Sequence, residues 1–167
     1  AFDEFYILMG LLTSNHLSTA KKIPSFRYDG LNIATDRVSA RSNEPMARYP
    51  WETLENGTEG APNGFFRDHV FHMACIALGQ YYYCKFSQDT EYLKHHAYVV
   101  IKRCAQFYMS HMIYETSRGY IVGKCTDLER LGASRENAYM TTCGVIATLK
   151  IFSELARLLN ADEEMAK

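Results

Sequence analysis

Four carboxylates, Asp3, Glu52, Asp127 and Glu129, fall in or beside stretches rich in turn signals, each with an aromatic residue or a glycine close by. The only tryptophan, Trp51, immediately precedes one of them. Acids and an indole presented from loops at one end of a helical body could bind a sugar. Carboxylates hydrogen-bond hydroxyls, while an aromatic plane covers the apolar face of the ring. Cleaving a glycosidic bond would further require one protonated carboxyl at the leaving oxygen. The plainer reading is that the acids are solvated and Trp51 anchors a loop to the core. Spacing alone does not choose between the two.

Other chemistries find less support. His69 and His72 are three residues apart, the spacing of one helical face, but no HExxH motif surrounds them and no third ligand suggests itself. Hydrogen-bonded or substrate-contacting histidines are the simpler expectation, so no metal is assigned. His95 and His96 are adjacent and cannot share one direction on a helix. The sequence has no Rossmann or Walker glycine loop and no Gly-x-Ser-x-Gly elbow. Cys75, Cys84, Cys104, Cys125 and Cys143 are odd in number, scattered and without a CxxC pair. Most of them fit buried thiols in a reducing, cytoplasmic compartment better than a disulfide framework or a zinc site.

The 167 residues carry a formal net charge of −1, which argues against a general nucleic-acid binder. No apolar run approaches the roughly 18 residues of a membrane span. With 47% hydrophobic residues, the composition is that of a globular domain with a real core.

Helical periodicity supplies the elements that must hold these residues. Helices are expected over 2–12, 17–27 with Pro24 kinking or dividing the segment, 30–42, 66–85, 89–112 capped by Asp89 or Ser87, and 134–159 capped by Ser134. Between the third and fourth lies a run of breakers over 43–64, longer than compact folds usually need and therefore of functional interest. A second irregular stretch runs from Tyr114 to Gly132, with Tyr120–Val122 as a short strand or extended segment. The whole reads as helical hairpins with two elaborated loops.

Several phrases, in order, resemble a known family. Asp3 to Leu12, then Ile23-Pro24-Ser25-Phe26-Arg27-Tyr28, then Ala47-Arg48-Tyr49-Pro50-Trp51-Glu52 are similar to the catalytic domain of glycoside hydrolase family 65, which contains disaccharide phosphorylases and related α-glucoside hydrolases. The resemblance runs over nearly the whole chain. It implies an all-α fold, a portion of an (α/α)6 barrel, with residues 1–167 forming one partial domain of about half the barrel. The chain then reads as a fragment of a longer protein whose remaining half-barrel is its first partner, with homo-oligomerisation as an alternative.

The resemblance also implies roles. Asp3 falls where the family has a Trp-Asp pair that holds the non-reducing sugar, with Phe2 in place of the tryptophan. Trp51 and Glu52 match a Trp-Glu that faces the same sugar, with Thr53 replacing a serine. His69 matches a histidine at the start of the next helix, and Arg67 stands where a glutamate is usual. Counting back from Asn137-Ala138-Tyr139, the general acid falls on Glu129, with Asp127 as the alternative one small shift away. The implied reaction is inverting cleavage of a small α-linked oligosaccharide, with hydrolysis favoured over phosphorolysis. No cofactor is implied, and inorganic phosphate would serve only as a phosphorylase's co-substrate. A catalytically inert toroid, scaffold or carbohydrate-binding module is the rival from another class.

Overall fold

A computed structural model describes residues 2–38, 45–128, 134–162 and 164–165. Helix α1 spans Phe2–Thr13, with Asp3 and Glu4 in its first turn, where negative charge suits the helix dipole. It stops at Asn15, whose φ of 61° is left-handed. The next segment divides into α2, Leu17–Ala20, and α3, Lys22–Asp29. Pro24 explains the division: it lacks an N–H and its ring crowds the carbonyl four residues earlier, so it is tolerated only in the first turn of a new helix. Helix α4 covers Leu31–Asp36, shorter than the 30–42 expected; residues 39–44 lie outside the described residues.

The long connection that follows is pinned down. Arg48 N–H donates to the Ala34 carbonyl at 2.9 Å and Ala47 N–H to that of Arg103 at 3.1 Å. Met46, Ala47 and Tyr49 are buried. A 3₁₀ turn at Phe65–Asp68 then leads to α5, His72–Ser87. This helix begins later than the expected Phe66, because the backbone of His69 is extended and bridges in parallel to Thr126.

Helix α5 is the hub of the fold. Met73, Ala74, Ile76, Ala77, Gly79, Gln80 and Tyr83 are all buried, and α1, α3 and the later helices Tyr98–His111 and Tyr139–Leu159 pack on it. Gln88, left-handed at φ 57°, closes α5. The Asp89 carboxylate, as expected of a cap, accepts the Tyr92 N–H at 2.9 Å. The chain then runs through α6, Thr90–Tyr92, a π-helical turn at Leu93–Ala97, and α7, Tyr98–His111. An antiparallel hairpin of β1, Ile113–Thr116, and β2, Gly119–Val122, pairs Ile113 with Val122 and turns through Gly119 at φ 105°.

Helix α8 spans Tyr139–Leu159, starting five residues after the expected Ser134 cap. Residues 135–137 are engaged elsewhere. Arg135 bridges to Cys125, and the Asn137 backbone and side chain both bond Val122 at 2.8 Å. Asn160 ends α8 in the left-handed region, as expected. The fold is thus all-α with one small hairpin among the described residues, and no described helix is long and apolar enough to cross a membrane. Burial pushes the thiols of Cys84 and Cys104 up to about 12, so both are protonated packing groups.

Candidate functional site

Aromatic rings from three separate segments come together. Trp51, from the long connection, stacks on His69 with centroids 4.4 Å apart and planes 17° apart. Phe71 lies 5.2 Å from Trp51, and Phe2, at the start of α1, meets Phe71 edge-on at 5.3 Å. His72 presents its edge to Trp51 at 5.3 Å. Phe71, His69 and His72 are buried, whereas Trp51 and Phe2 are half-buried, and the adjacent carboxylates of Glu52 and Asp3 are exposed. The result is an aromatic floor with an exposed acid next in sequence to Phe2 and another next to Trp51, residue types suited to a polyhydroxylated ring.

The two histidines are each tied to a backbone carbonyl. His69 precedes the helix, and its Nδ1 donates to the Phe66 carbonyl at 3.0 Å. His72 opens α5, and its Nε2 donates to the Tyr49 carbonyl at 3.0 Å. Burial holds His72 well below the ordinary histidine pKa, against the opposing pull of that carbonyl, so the ring is neutral. Among the described residues no group of three His, Cys, Asp or Glu could hold a metal ion.

The long connection is shaped by ionic contacts absent from the sequence expectations. Arg27, buried on α3, grips Glu4 of α1 through both carboxylate oxygens and donates from Nη1 to Thr53 Oγ1 at 2.6 Å. Tyr49 donates its hydroxyl to the Arg27 carbonyl at 2.7 Å, and burial raises its pKa well above the ordinary value. The carboxylate of Glu59 accepts the N–H groups of Trp51 and Glu52, each at 3.0 Å. Asn56-Gly57 offered a signal for this: it is a hairpin-turn pair, Gly57 adopts φ 82°, and Thr53 bridges to Glu59 across it.

The second irregular stretch reaches the same cluster. Because Thr126 bridges to His69, the segment 125–128 is tied to the aromatic floor. Asp127, the alternative acid, caps α8. Its Oδ2 accepts the Met140 N–H at 3.1 Å, and its Oδ1 accepts the Thr141 N–H and hydroxyl, both at 3.0 Å. Glu129, expected as the general acid, lies outside the described residues. Arg67 is exposed on the 3₁₀ turn, where its Nη2 makes a long contact to the Ala61 carbonyl at 3.4 Å.

Residues 2–164 match the glycosyl hydrolase family 65 central catalytic domain. The chain belongs to that family. Its helices are part of the family's α/α toroid, which agrees with the sequence expectation. Among curated relatives it is similar to kojibiose hydrolase of Mucilaginibacter mallensis, 29% identical over 149 residues, covering 87% of this chain and 22% of the relative. Kojibiose hydrolase of Flavobacterium johnsoniae is 26% identical over 148 residues, 86% of this chain and 21% of the relative. Protein-glucosylgalactosylhydroxylysine glucosidase of Dictyostelium discoideum is 25% identical over 169 residues, 97% of this chain and 23% of the relative. The chain thus spans about a fifth of the length of the curated relatives it matches.

Within this family 65 domain the aromatic floor draws its rings from α1, the long connection and the lead-in to α5, all within the matched region.

Proposed function

We propose that the protein containing this chain is an inverting glycoside hydrolase acting on a small α-linked glucoside. Trp51, with Phe2 reached through Phe71, would cover the glucosyl ring, and Asp3 and Glu52, both exposed, would hold its hydroxyls. Glu129 would protonate the glycosidic oxygen while water, activated by a carboxylate from another part of the protein, attacks the anomeric carbon from the opposite face. His69 backs the indole, and Arg67 would contact the departing group.

The observation that carries this reading is the Trp51–His69 stack together with the His69–Thr126 bridge. Those contacts tether the segment leading to Glu129 against the surface suited to a sugar ring. Hydrolysis is preferred to phosphorolysis because the three relatives are named hydrolases or glucosidases, and two of them name kojibiose as substrate. The remaining barrel is proposed to cover the flanks. Tyr6 and Ile7 on α1 and Ile146 and Leu158 on α8 are large apolar residues about half exposed or more, as expected of surfaces that meet further helices.

The test uses the intact parent protein with a panel of α-glucobioses that includes kojibiose, with and without phosphate. Free glucose produced at a phosphate-independent rate is expected, falling at least about 10²-fold in Glu129→Gln. Phosphate-dependent sugar 1-phosphate would replace the hydrolytic reading with phosphorolysis. Unchanged turnover in Glu129→Gln would overturn the acid assignment.

A further inference from the structure

Glu59 is not a contact residue in the reading above, yet it fixes both recognition groups of the long connection. Its side chain is 7% exposed. Oε2 accepts the Trp51 N–H and the Arg37 Nη2, each at 3.0 Å. Oε1 accepts the Glu52 N–H at 3.0 Å and the Ala61 N–H at 3.1 Å. Four donors fill the roughly four lone-pair sites of a carboxylate, so Glu59 has no capacity left for a ligand. Its role is to hold the backbone.

What it holds is unusual backbone. In an extended chain successive N–H groups point in opposite directions. Here the consecutive N–H groups of Trp51 and Glu52 converge on one carboxylate, and residues 51–52 form a bend. Two converging donors repel each other unless an anion sits between them. The bend is secured from behind by the Gly60 N–H to the Glu52 carbonyl at 2.7 Å and the Leu54 N–H to that of Thr58 at 3.0 Å. The directions in which the indole and the Glu52 carboxylate leave the chain therefore depend on the Glu59 charge.

We propose that Glu59 is the positioning residue of the sugar site, setting the Trp51–Glu52 bend so that ring and acid meet the same glucosyl unit. The proposal rests on the reading that Trp51 and Glu52 hold the sugar. Glu59→Gln keeps the size but turns an NH2 toward two donors, and a displacement near 1 Å at such groups costs about 10²-fold in rate.

The experiment measures kcat and KM of the intact parent enzyme on its preferred α-glucoside for Glu59→Gln, for Trp51→Ala/Glu52→Gln, and for the triple variant. Thermal unfolding is followed in parallel. Glu59→Gln alone should lower kcat/KM by about 10²-fold. In the Trp51→Ala/Glu52→Gln background it should add less than about threefold, because nothing remains to be positioned. A full, additive loss in the triple variant would reduce Glu59 to general stability and overturn the proposal. Normal kcat/KM in Trp51→Ala/Glu52→Gln would instead refute the underlying sugar site. If Glu59→Gln does not fold, Glu59→Asp, with the charge on a shorter stem, takes its place; wild-type kcat/KM in that variant would overturn the proposal.

Discussion

Replacing Asp127 separates two roles that one carboxylate could play, and the structure sets the size of each effect. In Asp127→Ala the N–H groups of Met140 and Thr141 lose their acceptor at the start of α8, as does the fully buried Thr141 hydroxyl. Loss of an N-cap costs about 1 kcal/mol. A buried hydroxyl stripped of its partner costs about 1–3 kcal/mol, and less here because the Cys125 Sγ lies 3.5 Å from it. The total is on the order of 2–3 kcal/mol. Asp127→Asn keeps an oxygen for Thr141 and faces an NH2 toward Met140, so it should cost only about 1 kcal/mol, Asn being a competent cap. The assay is hydrogen exchange on the intact parent protein, read in the peptide containing the first turn of α8. At about 1.4 kcal/mol per tenfold, Asp127→Ala should speed exchange there by about 30- to 150-fold and Asp127→Asn by under tenfold. If Asp127 only caps, the Asn variant should keep most of its turnover. Unchanged exchange in Asp127→Ala, with turnover in Asp127→Asn as low as in Glu129→Gln, would refute the capping role and make Asp127 the acid.

Two further outcomes follow from buried contacts. Burial lowers the His72 pKa below its unfolded value of about 6.5, so the unfolded chain binds the extra proton. The resulting stability should be fully present above pH 6.5 and decline below it, by up to about 1.4 kcal/mol per pH unit; denaturant midpoints that fall equally on acidification in His72→Gln would contradict this. A Cβ on Gly144 would sit 2.7 Å from Ala74 Cβ, where α8 meets α5. Gly144→Ala should therefore destabilise by about 1–2 kcal/mol despite its better helix propensity, and Ala74→Gly in the same chain should recover part of the loss. A raised melting temperature in Gly144→Ala would overturn that packing claim.

The helices were legible because their determinants are local. The period of apolar residues, the Asp89 cap, the Asn160 stop and the Pro24 break each act within a turn or two of chain. Family membership was legible too, since short phrases such as Pro50-Trp51-Glu52 keep their order along the sequence. What escaped the sequence are contacts between distant segments. The cap of α8 came from Asp127, not Ser134, because residues 135–137 were taken by pairing with 122–125. The start of α5 moved to His72 because His69 met Thr126, 57 positions along the chain.

Glu59 lies within the run of breakers over 43–64, and only the fold revealed that the N–H groups of Trp51 and Glu52 converge on it. The sequence by itself determined the helical body, the family and the residue types of the proposed sugar site. Tertiary structure decided which carboxylates are spent holding backbone, Asp127 and Glu59, while Asp3 and Glu52 stay exposed. The physical reason is that a carboxylate's role depends on the donors around it, and here the N–H groups of Met140 and Thr141 reach Asp127 from 13 and 14 residues away along the chain.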